Sequence, residues 1–442
     1  MVSSGRVLVI EERACPETSR LWDAVRDEGY EIVTMPLVRT LEQATTAQRP
    51  DVVLLNMIAA EYGPERNRYL DAASRLTVAA SARRLPVIGV GEAGEGGRPL
   101  GMSDVLPQPL SAGRLLGRIA ALTRLSTMQA ELRRRMETGG RFGLDVPTLE
   151  TGISEHDVNI LVIGNGGRFL TFESVLARMA TLTGAFSMTT ARDYMARRRF
   201  DLLLLDMPLS DAAYLASEIR RNPIWYSIPI MGFGDNHDAV QIDAAYRTGL
   251  TDILFGQFEG RELLERTRSA VNENRLREQL KSIYTQARHI ASNDALTGLF
   301  TRGYMMEHLQ HMVAEAQNGG DRFSVLGLRV SQLENLNETY GYAGGDQILR
   351  QIGITIARLV RGEDLAARAG GDRFAILLPS AGYEEAVRVS ARISAVIKAT
   401  RFTIPESDNS TSVDIETGYA IWTPTDDAKT LLARAFGPQL AT

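Results

Sequence analysis

The chain has 442 residues, 44% of them hydrophobic and 23% charged, a balance that suits soluble globular domains and a length that suggests about three of them. A net charge of −5 and a pI near 5.7 argue against a surface built mainly to neutralise duplex nucleic acid, while leaving room for a local pocket that holds a small anion. Cys15 is the only cysteine, so no intrachain disulfide can form, and no apolar run reaches the length of a membrane span. Met1 to Ile10 enters an apolar, strand-like run without the basic region and cleavage site of a signal peptide, so a cytoplasmic protein is expected, with neither membrane insertion nor a nucleic acid polymer as partner.

Taken in chain order, the apolar runs of the first two thirds occur twice. Val7-Leu-Val-Ile10 is answered by Ile160-Leu-Val-Ile163, and Asp51-Val-Val-Leu-Leu-Asn56-Met57 by Asp201-Leu-Leu-Leu-Leu-Asp206-Met207. Leu85-Pro-Val-Ile-Gly-Val-Gly91 is answered by Ile228-Pro-Ile-Met-Gly-Phe-Gly234, and Ser103-Asp-Val-Leu106 by Thr251-Asp-Ile-Leu254. Four matches in one order mark an internal repeat. Short apolar runs separated by helix-length periodic segments predict buried parallel strands with crossover helices, so each copy is expected to be an open α/β sandwich.

This order resembles the receiver domain of bacterial response regulators. The resemblance implies an acidic pair after the first strand and an aspartate ending the third that hold Mg²⁺, with the aspartate accepting a phosphoryl group and a lysine of a Lys-Pro pair contacting it. Hard oxygen ligands suit that cation, which neutralises the incoming charge. The first copy keeps Glu11 and Glu12 but has Asn56 at the acceptor position and Gln108 before Pro109, and an amide cannot become an acyl phosphate. The second has Asp206 at the acceptor, with Gly164, Asn165 and Gly166 in place of the acidic pair and Gly256-Gln257 in place of Lys-Pro. Asn56 and Asp206 are therefore read as vestigial phosphoacceptors in degenerate receivers that pack, dimerise or dock partners, and no metal is expected. Whether Asp206 is ever phosphorylated stays open. Gly164-Asn-Gly-Gly167 lacks the lysine and spacing of a phosphate loop and reads as a receiver loop.

Two linkers are expected. Gln129 to Glu155 is polar, with Arg133-Arg-Arg135 and Thr138-Gly-Gly-Arg141, and suits a helix end followed by a flexible connection, the arginine run reading as a solvated helix face. From Leu276, the apolar positions Leu280, Ile283, Ala287 and Ile290 follow a heptad-like spacing, which either couples two subunits or packs on the preceding receiver copy.

Asn293-Asp-Ala-Leu-Thr-Gly-Leu299 and Arg302-Gly-Tyr-Met305 open the last segment. The strand-like Phe323 to Val330, Asn337-Glu-Thr-Tyr-Gly-Tyr-Ala-Gly-Gly-Asp346 and Gly370-Gly-Asp-Arg-Phe374 follow. These motifs resemble GGDEF domains, and the whole chain resembles the PleD-like receiver-receiver-GGDEF response regulators, in particular their degenerate, PopA-like branch. The implied fold is α/β throughout: two receiver-like, flavodoxin-like domains at 1–128 and 157–272, a linker at 129–156, a helical linker at 273–293, and a nucleotidyl-cyclase-like α+β GGDEF domain at 294–442.

Cyclising two GTP molecules needs Mg²⁺ on the phosphates and a group that helps to remove a proton from the attacking hydroxyl. The resemblance places Arg329 at a metal-binding aspartate, and a guanidinium repels a cation rather than ligating it. Asp372 keeps the third residue of the motif, but Arg373 replaces the acidic catalyst and offers no basic lone pair. Glu334 stands where a phosphate-side lysine is expected, and Ala433 to Thr442 lacks the family's YxAK segment. No enzymatic activity is expected, and Arg329 is expected to pair with Asp372. Asn337 and Asp346 match the family's guanine-binding pair, as a weak nucleotide pocket or as loop caps.

Arg361-Gly-Glu-Asp364 keeps its chemistry. Arginine can donate two parallel hydrogen bonds to guanine O6 and N7, and aspartate can accept from the N1–H and N2–H edge. The resemblance makes this an RxxD site (I-site) for cyclic di-GMP, joined by Arg392 and by Arg388 one helical turn earlier. Glu315 departs from relatives that carry an arginine there. His308 and His311 read as a polar helix face. The expected function is a non-catalytic cyclic di-GMP effector, a homodimer whose protein partners, implied by resemblance alone, are cell-pole or protease-adaptor proteins in cell-cycle control. A scaffold that dimerises with an active cyclase and a residual cyclase or GTP-binding protein are the alternatives.

Overall fold

A computed structural model describes residues 5–11, 16–36, 50–58, 74–75, 85–91, 102–106, 110, 112–142, 158–222, 225–234, 239–255, 260–286, 292–318, 322–404 and 410–440. Glu12, Cys15, Gln108, Pro109, Gly256, Gln257, Ala287 and Ile290 lie outside the described residues, as do the side chains of Leu276, Leu280 and Ile283. The chain divides into two compact units, one of Gly5–Ser126 with Leu149–Gln279, the other of Thr127–Thr148 with Leu280–Thr442 and Met1–Ser4. Helix Ala112–Arg141 contributes residues to both.

The first unit realises the repeat as two flavodoxin-like sheets. Strands β1 (Gly5–Ile10), β2 (Tyr30–Met35), β3 (Val52–Asn56), β4 (Val87–Val90) and β5 (Asp104–Leu106) pair in parallel in the order β2-β1-β3-β4-β5. Strands β6 (Val158–Gly164), β7 (Ala180–Ala185), β8 (Leu202–Asp206), β9 (Ile230–Gly234) and β10 (Asp252–Phe255) repeat that order as β7-β6-β8-β9-β10. The central strands β3 and β8 are buried along their whole length, as expected for parallel strands covered on both faces. The repeat extends to an ion pair: Asp104 of β5 with Arg118 and Asp252 of β10 with Arg266, each pair separated by 14 residues. The two copies meet beside these pairs. Arg114 Nη2 lies 3.2 Å from Asp252 Oδ1, Arg118 Nη1 lies 2.6 Å from Glu273 Oε2, and the Gly113 N–H donates to Asp243 Oδ1 at 2.9 Å. The start of helix Ala112–Arg141 thus joins the first copy to the last strand and the last helices of the second.

The second unit is built on a sheet of order β11-β13-β14-β12-β17, from β11 (Phe300–Thr301), β12 (Phe323–Val330), β13 (Leu365–Gly370), β14 (Arg373–Pro379) and β17 (Ile415–Ile421), with the two-strand ladder β15 (Phe402–Thr403) and β16 (Ser410–Thr411) beside it. Helices Leu333–Leu359 and Tyr383–Ala399 bury Ile348, Ile352, Ile356, Val389 and Ile393 on one face. Helices Arg302–Gln317 and Ala428–Leu440 bury Tyr304, Leu309, Leu431 and Ala435 on the other. Between β13 and β14 the chain reverses with Gly370 at φ 138° and Gly371 at φ 51°, backbone conformations that favour glycine.

Under this second face lies a buried ionic cluster. Glu131 is fully buried and accepts from Arg134 Nη1 at 3.0 Å and Arg135 Nε at 2.8 Å, and its carboxylate lies 3.1 Å from His308 Nε2. Arg134 Nε reaches Glu315 Oε2 at 2.6 Å, and Thr138 Oγ1 lies 3.2 Å from His308 Nδ1. Burial pushes the Glu131 carboxyl up, but the charges of His308, Arg135 and Arg134, with the hydrogen bond to His308, outweigh it and hold the group below the usual carboxylate range. Two expectations are corrected here. In the Arg133-Arg-Arg135 run only Arg133 is exposed, because Arg134 reaches Glu315 and Arg135 reaches the carbonyls of Glu363 and Asp364, with Glu131 compensating both charges. His308 is buried rather than part of a polar face, its ring held by Glu131 and Thr138. Glu131→Ala is expected to cost about 3–5 kcal/mol in the unfolding transition of this unit, because it strands buried cations. Chemical denaturation checks it, and a loss below about 1 kcal/mol would mean that the cations find other partners.

Candidate functional site

Helix Leu333–Leu359 ends at Val360, whose extended backbone turns the chain out just before Arg361. The Arg361 N–H donates to Asp364 Oδ2 at 2.8 Å and the Asp364 N–H donates to the Arg361 carbonyl at 3.2 Å, so the aspartate closes its own turn. Asp364 is only 7% exposed. Burial, followed by the charge of Glu363, pushes its carboxyl up to about 7, against the opposing pull of the Arg361 N–H and of the Arg361 and Arg135 charges.

Helix Tyr383–Ala399 brings the other cations to this turn. Arg361 Nη2 lies 2.8 Å from Glu385 Oε1, and Arg388 Nη2 lies 2.8 Å from Glu385 Oε2. Arg392 Nη2 donates at 3.0 Å to the Leu359 carbonyl, at the helix end that feeds the turn. Arg361, Asp364, Arg388 and Arg392 are thus gathered about one turn, with Glu385 between two of the arginines. Burial raises the Glu385 carboxyl, but the Arg388 hydrogen bond and the charges of Arg361, Arg388 and Arg392 hold it below its ordinary value. Glu385 was not singled out from sequence, although its place three residues before Arg388 is a readable helix-pair signal. Glu315, read as a departure at this site, is the partner of Arg134.

Arg135 supports the turn from beneath. Its Nη2 donates to the Glu363 carbonyl at 3.3 Å and the Asp364 carbonyl at 2.9 Å. No local sequence signal joins residues that lie 228 and 229 positions apart.

The expected Arg329–Asp372 pair is not formed. Arg329 stands opposite Glu416 in the β12–β17 ladder, and its Nη2 lies 3.3 Å from Glu416 Oε2. Asp372 sits in the hairpin turn, where its carbonyl accepts the Val330 N–H at 3.0 Å and its carboxylate lies 3.9 Å from Arg373 Nε. Register explains the difference, since the residues directly opposite Arg329 are Glu416 on one neighbouring strand and Arg373 on the other. Arg368 donates to the Gly371 carbonyl at 2.9 Å and pairs with Asp294 at 3.4 Å, tying the hairpin to the start of the domain. Asn337 Oδ1 rests against Gly345, where a Cβ would come within 1.9 Å, while Asp346 and Glu334 are exposed. Among the described residues no three His, Cys, Asp or Glu side chains group closely enough to hold a metal ion.

Asn56 and Asp206, the positions expected to be vestigial phosphoacceptors, both have hydrogen-bond partners within the chain. Asn56 Nδ2 donates to Glu11 Oε2 at 2.9 Å and Trp22 Nε1 donates to the same oxygen at 3.2 Å, while Asn56 Oδ1 accepts from the Ile58 N–H at 3.2 Å. Asp206 accepts from the Arg168 N–H at 2.9 Å and Arg168 Nη1 at 3.2 Å. Gly164 lies against Asp206 at φ 151°, where a Cβ would stand 2.0 Å from the Asp206 carbonyl oxygen, which accounts for a glycine in this loop.

Residues 291–436 match the family model described as diguanylate cyclase, GGDEF domain. Response regulator PleD of Caulobacter vibrioides is 26% identical over 450 aligned positions, covering 98% of this chain and 95% of PleD. Diguanylate cyclase TpbB of Pseudomonas aeruginosa is 32% identical over 273, covering 60% of this chain and 55% of that protein. Among solved structures, the GGDEF domain of DgcB from Caulobacter crescentus, in complex with c-di-GMP, is 24% identical with a TM-score of 0.32, covering 33% of this chain and 84% of that one. The chain is thus similar to response regulator PleD over nearly its whole length, and its residues 291–436 match the GGDEF domain model. Among the described residues no helix is long and apolar enough to cross a membrane.

Replacing the Asn56 amide by a carboxylate would set two acids against each other where the amide now donates. Asn56→Asp is expected to lose about 1–3 kcal/mol near neutral pH and to recover part of it towards about pH 5, as the pair takes up a proton. Urea unfolding at the two pH values checks this, and equal stability at both would show that the acids do not interact.

Proposed function

We propose that the protein is a non-catalytic effector that binds cyclic di-GMP at Arg361, Asp364, Arg388 and Arg392, on a degenerate, PopA-like GGDEF domain spanning 294–442 and preceded by degenerate receivers at 1–128 and 157–272. The observation that carries this reading is the gathering of three arginines and one aspartate about a single turn. The arginines supply paired donors for guanine O6 and N7 or for phosphate oxygens, and the Asp364 carboxylate supplies the acceptor for the guanine N1–H and N2–H edge. A GGDEF domain is related to this dinucleotide through its family, where TpbB carries the name of diguanylate cyclase. Arg329 at the position of a metal-binding aspartate, and Arg373 at that of the acidic catalyst, support the absence of cyclisation. Homodimerisation, a cytoplasmic place at the cell pole, and cell-pole or protease-adaptor partners belong to the same proposal and rest on resemblance alone.

One observation favours a second reading, a structural scaffold. Glu385 already satisfies Arg361 and Arg388, as an ordinary surface ion-pair network would. The two readings separate on titration.

Calorimetry of the full chain is expected to give saturable cyclic di-GMP binding, weakened at least tenfold by Arg361→Ala on the scale of about 1.5–3 kcal/mol for a hydrogen bond to a charged group. Silence from the wild type would leave the scaffold. With GTP and Mg²⁺ no pyrophosphate release is expected, and turnover abolished by Asp372→Asn would restore the enzyme reading. The pH dependence has a defined sign. With Asp364 pushed up to about 7, the accepting carboxylate is the minority form below that value, so affinity should rise about tenfold from about pH 6 to about pH 8 and then level off. The same shift works against folding. The folded state holds a proton that the unfolded chain releases near pH 4, so Asp364 lowers stability as pH rises from about 4 to about 7.

A further inference from the structure

We infer that Arg135 is a positioning residue of the ligand site, which holds the Arg361–Asp364 turn in its binding geometry and makes ligand binding and the seating of helix residues Thr127–Arg141 depend on each other. This rests on the cyclic di-GMP reading above.

Arg135 is 4% exposed, and its guanidinium reaches several elements. Nη2 donates to the carbonyls of Glu363 and Asp364, Nε donates to Glu131 Oε1 at 2.8 Å, and the guanidinium carbon stands 5.6 Å from the centroid of the Phe300 ring. Its own carbonyl accepts the Tyr304 hydroxyl at 3.3 Å. The residue therefore bonds the backbone of the RxxD turn to helix Ala112–Arg141 and rests on the strand next to β13. The peptide oriented by Nη2 is that of Asp364, whose carboxylate is the proposed guanine acceptor and whose side chain also closes the turn on the Arg361 N–H.

The planar fork is what this task requires. A guanidinium can meet a carboxylate with one edge and carbonyls with another, which an ammonium at the end of a flexible stem cannot do in one fixed geometry. Glu131 compensates the buried charge, so Arg135 stays seated without a ligand. If the turn binds only when Arg135 holds it, the ligand favours the state in which Arg135 is seated, and by linkage the seating of residues Thr127–Arg141 is strengthened by the same factor. The residues of the same helix up to Ser126 belong to the receiver-like unit, so the helix that feels the ligand is shared by both units.

The test uses the full chain as wild type, Arg135→Met and Arg135→Lys. Calorimetry with cyclic di-GMP measures affinity, and hydrogen–deuterium exchange with and without ligand measures protection of residues 127–141. The expected results are binding weakened about tenfold or more in Arg135→Met, an intermediate loss in Arg135→Lys, and slower exchange over residues 127–141 on ligand addition in the wild type but not in Arg135→Met at saturation. Arg135→Lys keeps a cation beside Glu131, so it reads the loss of the fork even where Arg135→Met fails to fold. Wild-type affinity in both variants, or a wild type that binds without a change of exchange in residues 127–141, would overturn the inference while leaving the ligand reading in place. A wild type that does not bind would remove the ligand reading itself, and the inference with it.

Discussion

A carboxylate buried to exclusion of solvent, Glu131, is the constraint around which the GGDEF-bearing unit is arranged. Such a group persists as an anion only where cations and donors surround it, and here Arg134, Arg135 and His308 converge on its two oxygens. Each donor then reaches a second element. Arg134 goes to Glu315, His308 sits in the helix that begins at Arg302, and Arg135 goes to the carbonyls of the RxxD turn. One buried charge thereby ties residues Thr127–Arg141 to the turn that carries the candidate ligand site.

The same rule governs the positions where the family resemblance implies metal chemistry. Glu11 accepts from Asn56 and Trp22, Asp206 is held by Arg168, and Arg329 is matched by Glu416. In each case a side chain of the protein supplies the complementary group. An internal donor satisfies such a group without the cost of ordering a free ion. The RxxD turn differs in kind. Arg361 and Arg388 lie in solvent contact and share Glu385, an arrangement that an anion with several acceptors can rearrange.

The duplication has a consequence beyond the repeated sheet. Both copies carry the same aspartate on the last strand and pair it with an arginine 14 residues later. Arg114 and Arg118 of the first copy add contacts to Asp252 and Glu273 of the second.

Much of this was legible in the residues themselves. Strand runs, their order, the repeat, the glycine-dependent hairpin at Gly370-Gly371 and the RxxD turn are local patterns, set by side-chain periodicity and backbone sterics over a few positions. Glu131 with Arg134 and Arg135, and Glu385 with Arg388, were also readable as helix pairs at three- and four-residue spacing. Which way those helix faces point was not. Arg134 and Arg135 are interior rather than solvated because of Glu315 and two carbonyls more than a hundred residues away. Arg329 chose Glu416 over Asp372 because the β12–β17 register sets them opposite one another. The sequence by itself determined the elements and the kind of chemistry each could carry, because those depend on short-range geometry. The partners of its charges were decided only in the tertiary structure, because a buried ion is stabilised by whatever the chain topology brings within hydrogen-bonding distance.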